Sequence, residues 1–173
     1  MKKNLILTGM MGVGKSTVGK KLAEELSLRF VDVDKLIEIK EGCSINLIFK
    51  NKSENYFRRL ETNISLQELK KNNAVISLGG GAFLNKSIRR VVKDTALSFW
   101  LDVNIDELTK RLKKTKKRPL LFKRNLNSTV NKIYLERKKT YNEADFKIKC
   151  TFLKSEEIVQ KIIKLYEDAR NQI

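Results

Sequence analysis

With 173 residues, 41% of them hydrophobic, the chain has the size and apolar content of one α/β domain, 1–173, with a core of its own. It contains no histidine, which excludes Ser-His-Asp and Cys-His catalysis and imidazole-bound zinc; any general base must be a carboxylate or, less readily, a lysine. The net charge is +17 (37 basic minus 20 acidic residues), but 27 of the basic residues are lysines spread along the whole length, which suits a solvated surface that attracts small anions better than a dedicated nucleic-acid face.

Met1-Lys2-Lys3 ahead of Leu5–Leu7 has the start of a secretory signal. However, the apolar run is short and is broken by Gly9, Gly12 and Gly14, so Leu5–Thr8 is predicted as a buried strand. The next segments alternate: helix Lys15–Leu26, strand Phe30–Asp32, helices Asp34–Glu41 and Ser53–Lys71, strand Ala74–Leu78, helix Asn85–Lys93 and strand Ala96–Leu101. Helices Ile105–Lys113 and Thr129–Ala144, strand Phe146–Thr151 and helix Ser155–Arg170 complete the chain. In the last helix Ile158, Ile162 and Tyr166 recur at i+4 beside Val159 and Ile163, with Ser155 as the expected cap. Strands that alternate with helices imply a five-stranded parallel sheet covered on both faces. No repeat, linker or run of roughly 20 apolar residues interrupts the pattern, so one domain without a membrane partner is expected. Cys43 and Cys150, which have no metal or redox spacing, suit a reducing cytoplasm.

The strongest motif opens the chain. Gly9-Met10-Met11-Gly12-Val13-Gly14-Lys15-Ser16 fits G-x-x-x-x-G-K-[ST] in full and lies between a predicted strand and a predicted helix, as a P-loop must. Backbone N–H groups and the helix N-terminus would cradle phosphates, Lys15 would reach the β- and γ-phosphates, and Ser16 would offer its hydroxyl to Mg²⁺. No Asn-Lys-x-Asp motif for guanine is present, which favours ATP.

Ligands of parallel sheets sit at the carboxyl ends of the strands, and chemistry-bearing residues cluster there. Val31-Asp32-Val33-Asp34 offers two carboxylates that can divide metal holding from proton acceptance, although Asp34 also stands where a helix N-cap would. Asp102, after Phe99-Trp100-Leu101, competes with Asp32 for the metal. Gly79-Gly80-Gly81 bares backbone N–H groups at the third strand exit. Arg58 and Arg137 are possible carboxylate forks or ordinary helix-surface arginines, and Arg58 can pair with Glu61 at i+3. Between Lys110 and Arg124 there are nine basic residues and no acidic one, around Arg118-Pro119-Leu120-Leu121. With Phe122 as its only aromatic, this stretch reads as a mobile basic lid, about 112–126, closing over ATP rather than as a nucleic-acid reader.

Together these motifs resemble shikimate kinase, in order and nearly end to end: the P-loop, Asp32-x-Asp34, Phe57-Arg58-Arg59-x-Glu61, Gly79–Gly81, Arg118–Leu121 and Arg137-x-x-x-Tyr141. The resemblance implies the P-loop NTPase fold and transfer of the γ-phosphoryl of ATP to the 3-hydroxyl of shikimate, on the path to chorismate. It implies that Gly12, Val13, Gly14, Lys15, Ser16 and Thr17 bind the ATP phosphates, with Mg²⁺ held by Ser16 directly and by Asp32 through water, which ranks Asp32 above Asp102. It further implies Asp34 as hydroxyl-binding base, Arg58 and Arg137 as clamps on the shikimate carboxylate, and the Gly79, Gly80 and Gly81 backbone against the acceptor. Phe49 and Phe57 become aromatic walls, Arg118 the catalytic lid arginine beside Lys15, and Arg111 and Lys154 adenine-side groups. A monomer is expected. The loop Thr151-Phe152-Leu153-Lys154 departs from the family in lacking a proline. The remaining alternatives are a gluconate- or nucleoside-monophosphate-type kinase and a nucleic-acid-associated ATPase.

Overall fold

The computed structural model describes residues 4–113 and 126–171. Five parallel strands form one sheet in the order β2-β3-β1-β4-β5: β1 Asn4–Thr8, β2 Arg29–Asp32, β3 Ala74–Ser77, β4 Ala96–Asp102 and β5 Phe146–Lys149. The registers are continuous through the centre, Leu5 standing opposite both Val75 and Leu97. Every residue of β1 and β3 is buried, as expected of strands covered on two faces, whereas only Val31 of β2 and Ile148 of β5 are fully buried.

The helices are α1 Lys15–Glu25, α2 Val33–Glu41, α3 Ile45–Asn51, α4 Glu54–Lys70, α5 Lys86–Thr95, α6 Ile105–Lys113, α7 Leu126–Tyr141 and α8 Ser155–Asn171. The chain leaves β1 toward the β2 edge through α1, then returns across the sheet through α4 and α5. Right-handed crossovers therefore put α1 on one face and α4 and α5 on the other. The packing agrees: α1 lies against α8, α4 against α5, and α5 against β4. Because the helices after β1 and β3 depart to opposite faces, a crevice opens at the carboxyl ends of these neighbouring strands. Among the described residues no helix is long and apolar enough to cross a membrane.

Three local features differ from the sequence expectations. Helix α3 falls where none was predicted; Ser44 caps it, accepting from Leu47 N–H at 3.4 Å, and Ile48 anchors it in the core. Helix α2 begins one residue earlier, so its N-cap is Asp32, which accepts from Lys35 N–H at 3.3 Å, and Asp34 lies inside the first turn. At α8 the backbone carbonyl of Lys154 accepts the first helical bond and its N–H donates to Glu157 at 2.8 Å, so Lys154 occupies the cap position. Ser155 instead receives a bond from Lys21 Nζ at 3.0 Å.

Candidate active site

The turn after β1 requires glycine. Gly12 and Gly14 adopt φ of 81° and 100°, in the left-handed region, and Gly14 caps α1 in that conformation. The turn delivers Lys15 to a largely buried position, where its Nζ donates to the carbonyls of Gly9 at 2.9 Å and Met10 at 3.0 Å. Ser16 Oγ donates to Asp32 Oδ2 at 2.5 Å, so a hydroxyl from the start of α1 and a carboxylate from the exit of β2 stand together beside the cradle.

The cradle forms one end of a cavity of about 690 Å³, within the range of small-ligand sites. Gly12, Gly14, Lys15, Ser16, Thr17 and Asp32 line that end; Asp34, Phe49, Phe57, Arg58, Gly80, Gly81 and Arg137 line the other. Val13 is buried under the turn, and Gly79 stands behind Asp34: a Cβ on Gly79 would lie 2.6 Å from Asp34 Oδ1 and would also collide with Glu61. Phe49 and Phe57 are in contact, with ring centroids 4.9 Å apart, and the Arg58 guanidinium lies over Phe57 at 5.1 Å.

Arg58 makes the helix pairs that its sequence spacing allows, to Glu61 at 2.8 Å and Glu54 at 3.1 Å, and it does so on the cavity wall. Glu61 is the site residue that sequence reading passed over. Its i+3 spacing to Arg58 was visible; its burial, to 2% exposure, was not. Burial pushes its carboxyl above the usual range and the nearby Asp34 charge adds to this, while Arg58 and Arg137 oppose them. Its Oε1 has no hydrogen-bond partner among the described residues. Arg137 lines the same cavity, where its Nη1 donates to Gly80 O at 2.8 Å, and the buried Tyr141 hydroxyl donates to the same carbonyl.

Space at Gly81 is claimed by Arg58, because a Cβ there would overlap the guanidinium. Gly81→Ala is therefore expected to push Arg58 off the cavity wall and raise the KM of an anionic acceptor about tenfold or more, the loss of one charge-assisted hydrogen bond. Steady-state kinetics check this, with the KM for ATP unchanged.

Asp102, the rival to Asp32, lies outside the cavity. It accepts from the Tyr134 hydroxyl at 3.0 Å and pairs with Lys147 at 3.0 Å. The two residues expected on the adenine side also lie beyond the cavity lining. Arg111 pairs with Glu107 at 2.9 Å and reaches the Val13 carbonyl at 3.5 Å, while Lys154 is exposed at the start of α8. Arg118 and the lid positions 114–125 lie outside the described residues. Neither cysteine enters the cavity; Cys150 is buried at the β5 exit, its thiol pushed up to about 12 by burial.

In the loop after β5 Phe152 is 81% exposed with φ of 64°. A bulky residue in the left-handed region costs roughly 1 kcal/mol, and this side chain recovers little by packing. Phe152→Gly is expected to stabilise the fold by about that much, a rise in Tm of about 2–4 °C measurable by calorimetry.

A phosphate cradle sharing one cavity with the carboxylates of Asp32 and Asp34 and the guanidinium groups of Arg58 and Arg137 has the parts for phosphoryl transfer to an anionic alcohol, and similarity to known proteins points the same way. The family model described as shikimate kinase matches residues 11–167. The shikimate kinase of Sulfurihydrogenibium sp. (strain YO3AOP1) is 41% identical over 161 residues, 93% of this chain and 96% of that protein. Among solved structures, shikimate kinase from Acinetobacter baumannii in complex with shikimate superposes with a TM-score of 0.93 at 30% identity, covering 98% of this chain and 95% of that one. Shikimate kinase from Aquifex aeolicus vf5 gives 0.86 at 37% identity, over 96% and 98% of the two chains. With its five-stranded P-loop kinase fold and a match over nearly its whole length, the chain belongs to the shikimate kinase family.

Proposed function

We propose that the protein transfers the γ-phosphoryl group of ATP to the 3-hydroxyl of shikimate. The observation that carries this reading is that the cradle of Lys15 and the group Asp34, Arg58 and Arg137 line a single cavity. Family membership supports ATP as donor and shikimate as acceptor.

In this reading the guanidinium groups of Arg58 and Arg137 together grip the acceptor carboxylate, Phe49 and Phe57 pack on its ring, and the glycine backbone at 79–81 receives its hydroxyls. Asp34 accepts the proton of the attacking hydroxyl as its oxygen bonds to the γ-phosphorus and the bond to the bridging oxygen of ADP breaks. Lys15 neutralises charge on the β- and γ-phosphates, with Arg118 assisting from the lid and Gly12–Thr17 holding the phosphates in line. Arg111 and Lys154 serve the adenine side. Ser16 and Asp32 suit Mg²⁺: the two hard oxygen donors stand 2.5 Å apart beside the cradle, and Mg²⁺ takes its other ligands from phosphate and water. When bound, that ion would neutralise phosphate charge. A site drawn from one chain supports action as a monomer, and the unpaired cysteines fit a reducing cytoplasm.

Coupled ADP-release assays with shikimate, gluconate and CMP in parallel test the proposal. Release that requires shikimate is expected; release driven by gluconate or CMP, or stimulated by DNA or RNA without shikimate, overturns it.

A further inference from the structure

Helix α7 carries Arg137 on a modest apolar stripe: of its 16 residues Val130 and Tyr141 are buried, Leu126, Ile133 and Tyr134 are partly buried against the core, and Leu135 is exposed. A stripe this modest leaves polar contacts to keep the helix from rolling or sliding. Tyr134, Arg137 and Tyr141 stand at i, i+3 and i+7, on one face. Each reaches a strand exit: Tyr134 donates to Asp102 at the end of β4, and Arg137 and Tyr141 donate to Gly80 after β3. The far end of the Tyr134 contact is itself held. Asp102 Oδ2 is paired with Lys147 at 3.0 Å, and the Lys147 ammonium lies 4.2 Å from the centre of the buried Trp100 ring.

We propose that Asp102 and Tyr134 are positioning residues that lock α7 onto β4 so that Arg137, one turn further along, meets the acceptor carboxylate. The proposal rests on the reading of Arg137 as a carboxylate clamp. It also gives the β4 aspartate a role that metal binding does not supply. The anchor does not titrate in the working range, since burial and the neighbouring Asp102 push the Tyr134 hydroxyl up to about 12 and keep it a donor. Rise along the helix puts Tyr134 only about 4.5 Å from Arg137, so a small shift at the anchor reaches the clamp almost undiminished. Displacements near 1 Å in a positioning group cost up to a hundredfold, and a partial loosening correspondingly less.

Steady-state kinetics and melting temperatures of Tyr134→Phe, Asp102→Asn, Asp102→Ala, the double variant Tyr134→Phe/Asp102→Ala and Arg137→Met provide the test. For Tyr134→Phe, which removes one oxygen and keeps the ring, the KM for shikimate should rise about 3- to 10-fold, with kcat, the KM for ATP and Tm nearly unchanged. Asp102→Asn, which retains an oxygen to accept from Tyr134, should keep the wild-type KM, whereas Asp102→Ala should match Tyr134→Phe. The double variant should be no worse than either single one, as for two ends of one interaction. The proposal is overturned if Arg137→Met raises the shikimate KM while Tyr134→Phe leaves it unchanged, or if Tyr134→Phe lowers kcat and Tm and raises both KM values together. If Arg137→Met itself leaves the shikimate KM unchanged, the clamp reading fails first and takes this proposal with it.

Discussion

Asp34→Asn is expected to lower kcat by two to four orders of magnitude while leaving the KM for ATP and the fold almost untouched. A positioned general base contributes about 10²- to 10⁴-fold, and in a chain without histidine no other carboxylate on the acceptor side is equivalent. Asp32 is engaged as the α2 cap and with Ser16, Glu61 is buried against Arg58, and Glu38, which also lines the cavity, accepts from Ile45 N–H and pairs with Lys35. Asparagine preserves the shape of the side chain but cannot take the proton. Two of the stability terms are small and of opposite sign. The substitution removes a carboxylate from the first turn of α2, where negative charge is favourable by about 0.3–1 kcal/mol, and it relieves repulsion with Glu61. Single-turnover kinetics with calorimetry separate the two effects. A variant with near wild-type kcat would show that Asp34 orients the hydroxyl without accepting its proton.

Lys15→Met should be the other severe lesion, with kcat/KM for ATP falling by about 10²- to 10³-fold, typical of removing one preorganised donor from developing charge. Methionine fills the same buried volume without a cation, so packing around α1 should survive. The ammonium is held by the Gly9 and Met10 carbonyls of its own turn, which fixes its position relative to the cradle. Because Lys15 stands at the phosphate end, shikimate binding measured by titration calorimetry should change little. Loss of shikimate affinity equal to the loss for ATP would mean that the two halves of the cavity are not separable subsites.

Much of the fold was legible because its signals are local. The buried runs of β1 and β3 and the glycine-lysine turn between β1 and α1 need only sequence neighbours to be recognised. Helix α3 was missed because two turns carry too short an apolar period to stand out, although Ser44 ahead of Ile45, Ile48 and Phe49 is a usable cap-and-stripe signature. The cap slipped at α2 because Asp32 and Asp34 are both good cap residues that only backbone geometry separates, and at α8 because Lys154 holds the cap position through its backbone alone, which no side-chain signal marks. At the site, spacing alone did not separate Asp32 from Asp102, and only the family resemblance ranked Asp32 first; their surroundings are a matter of the fold. They depend on strand order, which sets Asp102 beside Lys147 of β5 and Tyr134 of α7 and sets Asp32 beside Ser16. Arg58 and Arg137 are 79 positions apart in sequence, and it is the pairing of β1 with both β3 and β4 that brings their helices to one cavity.

Shikimate compared with its methyl ester as acceptor, at saturating ATP, probes that convergence most directly. With both guanidinium groups gripping a carboxylate, kcat/KM for the ester should drop at least about 30-fold, the worth of one to two charge-assisted hydrogen bonds, mostly through KM. An ester phosphorylated as efficiently as the free acid would contradict the clamp and leave Arg58 and Arg137 as wall residues without a ligand.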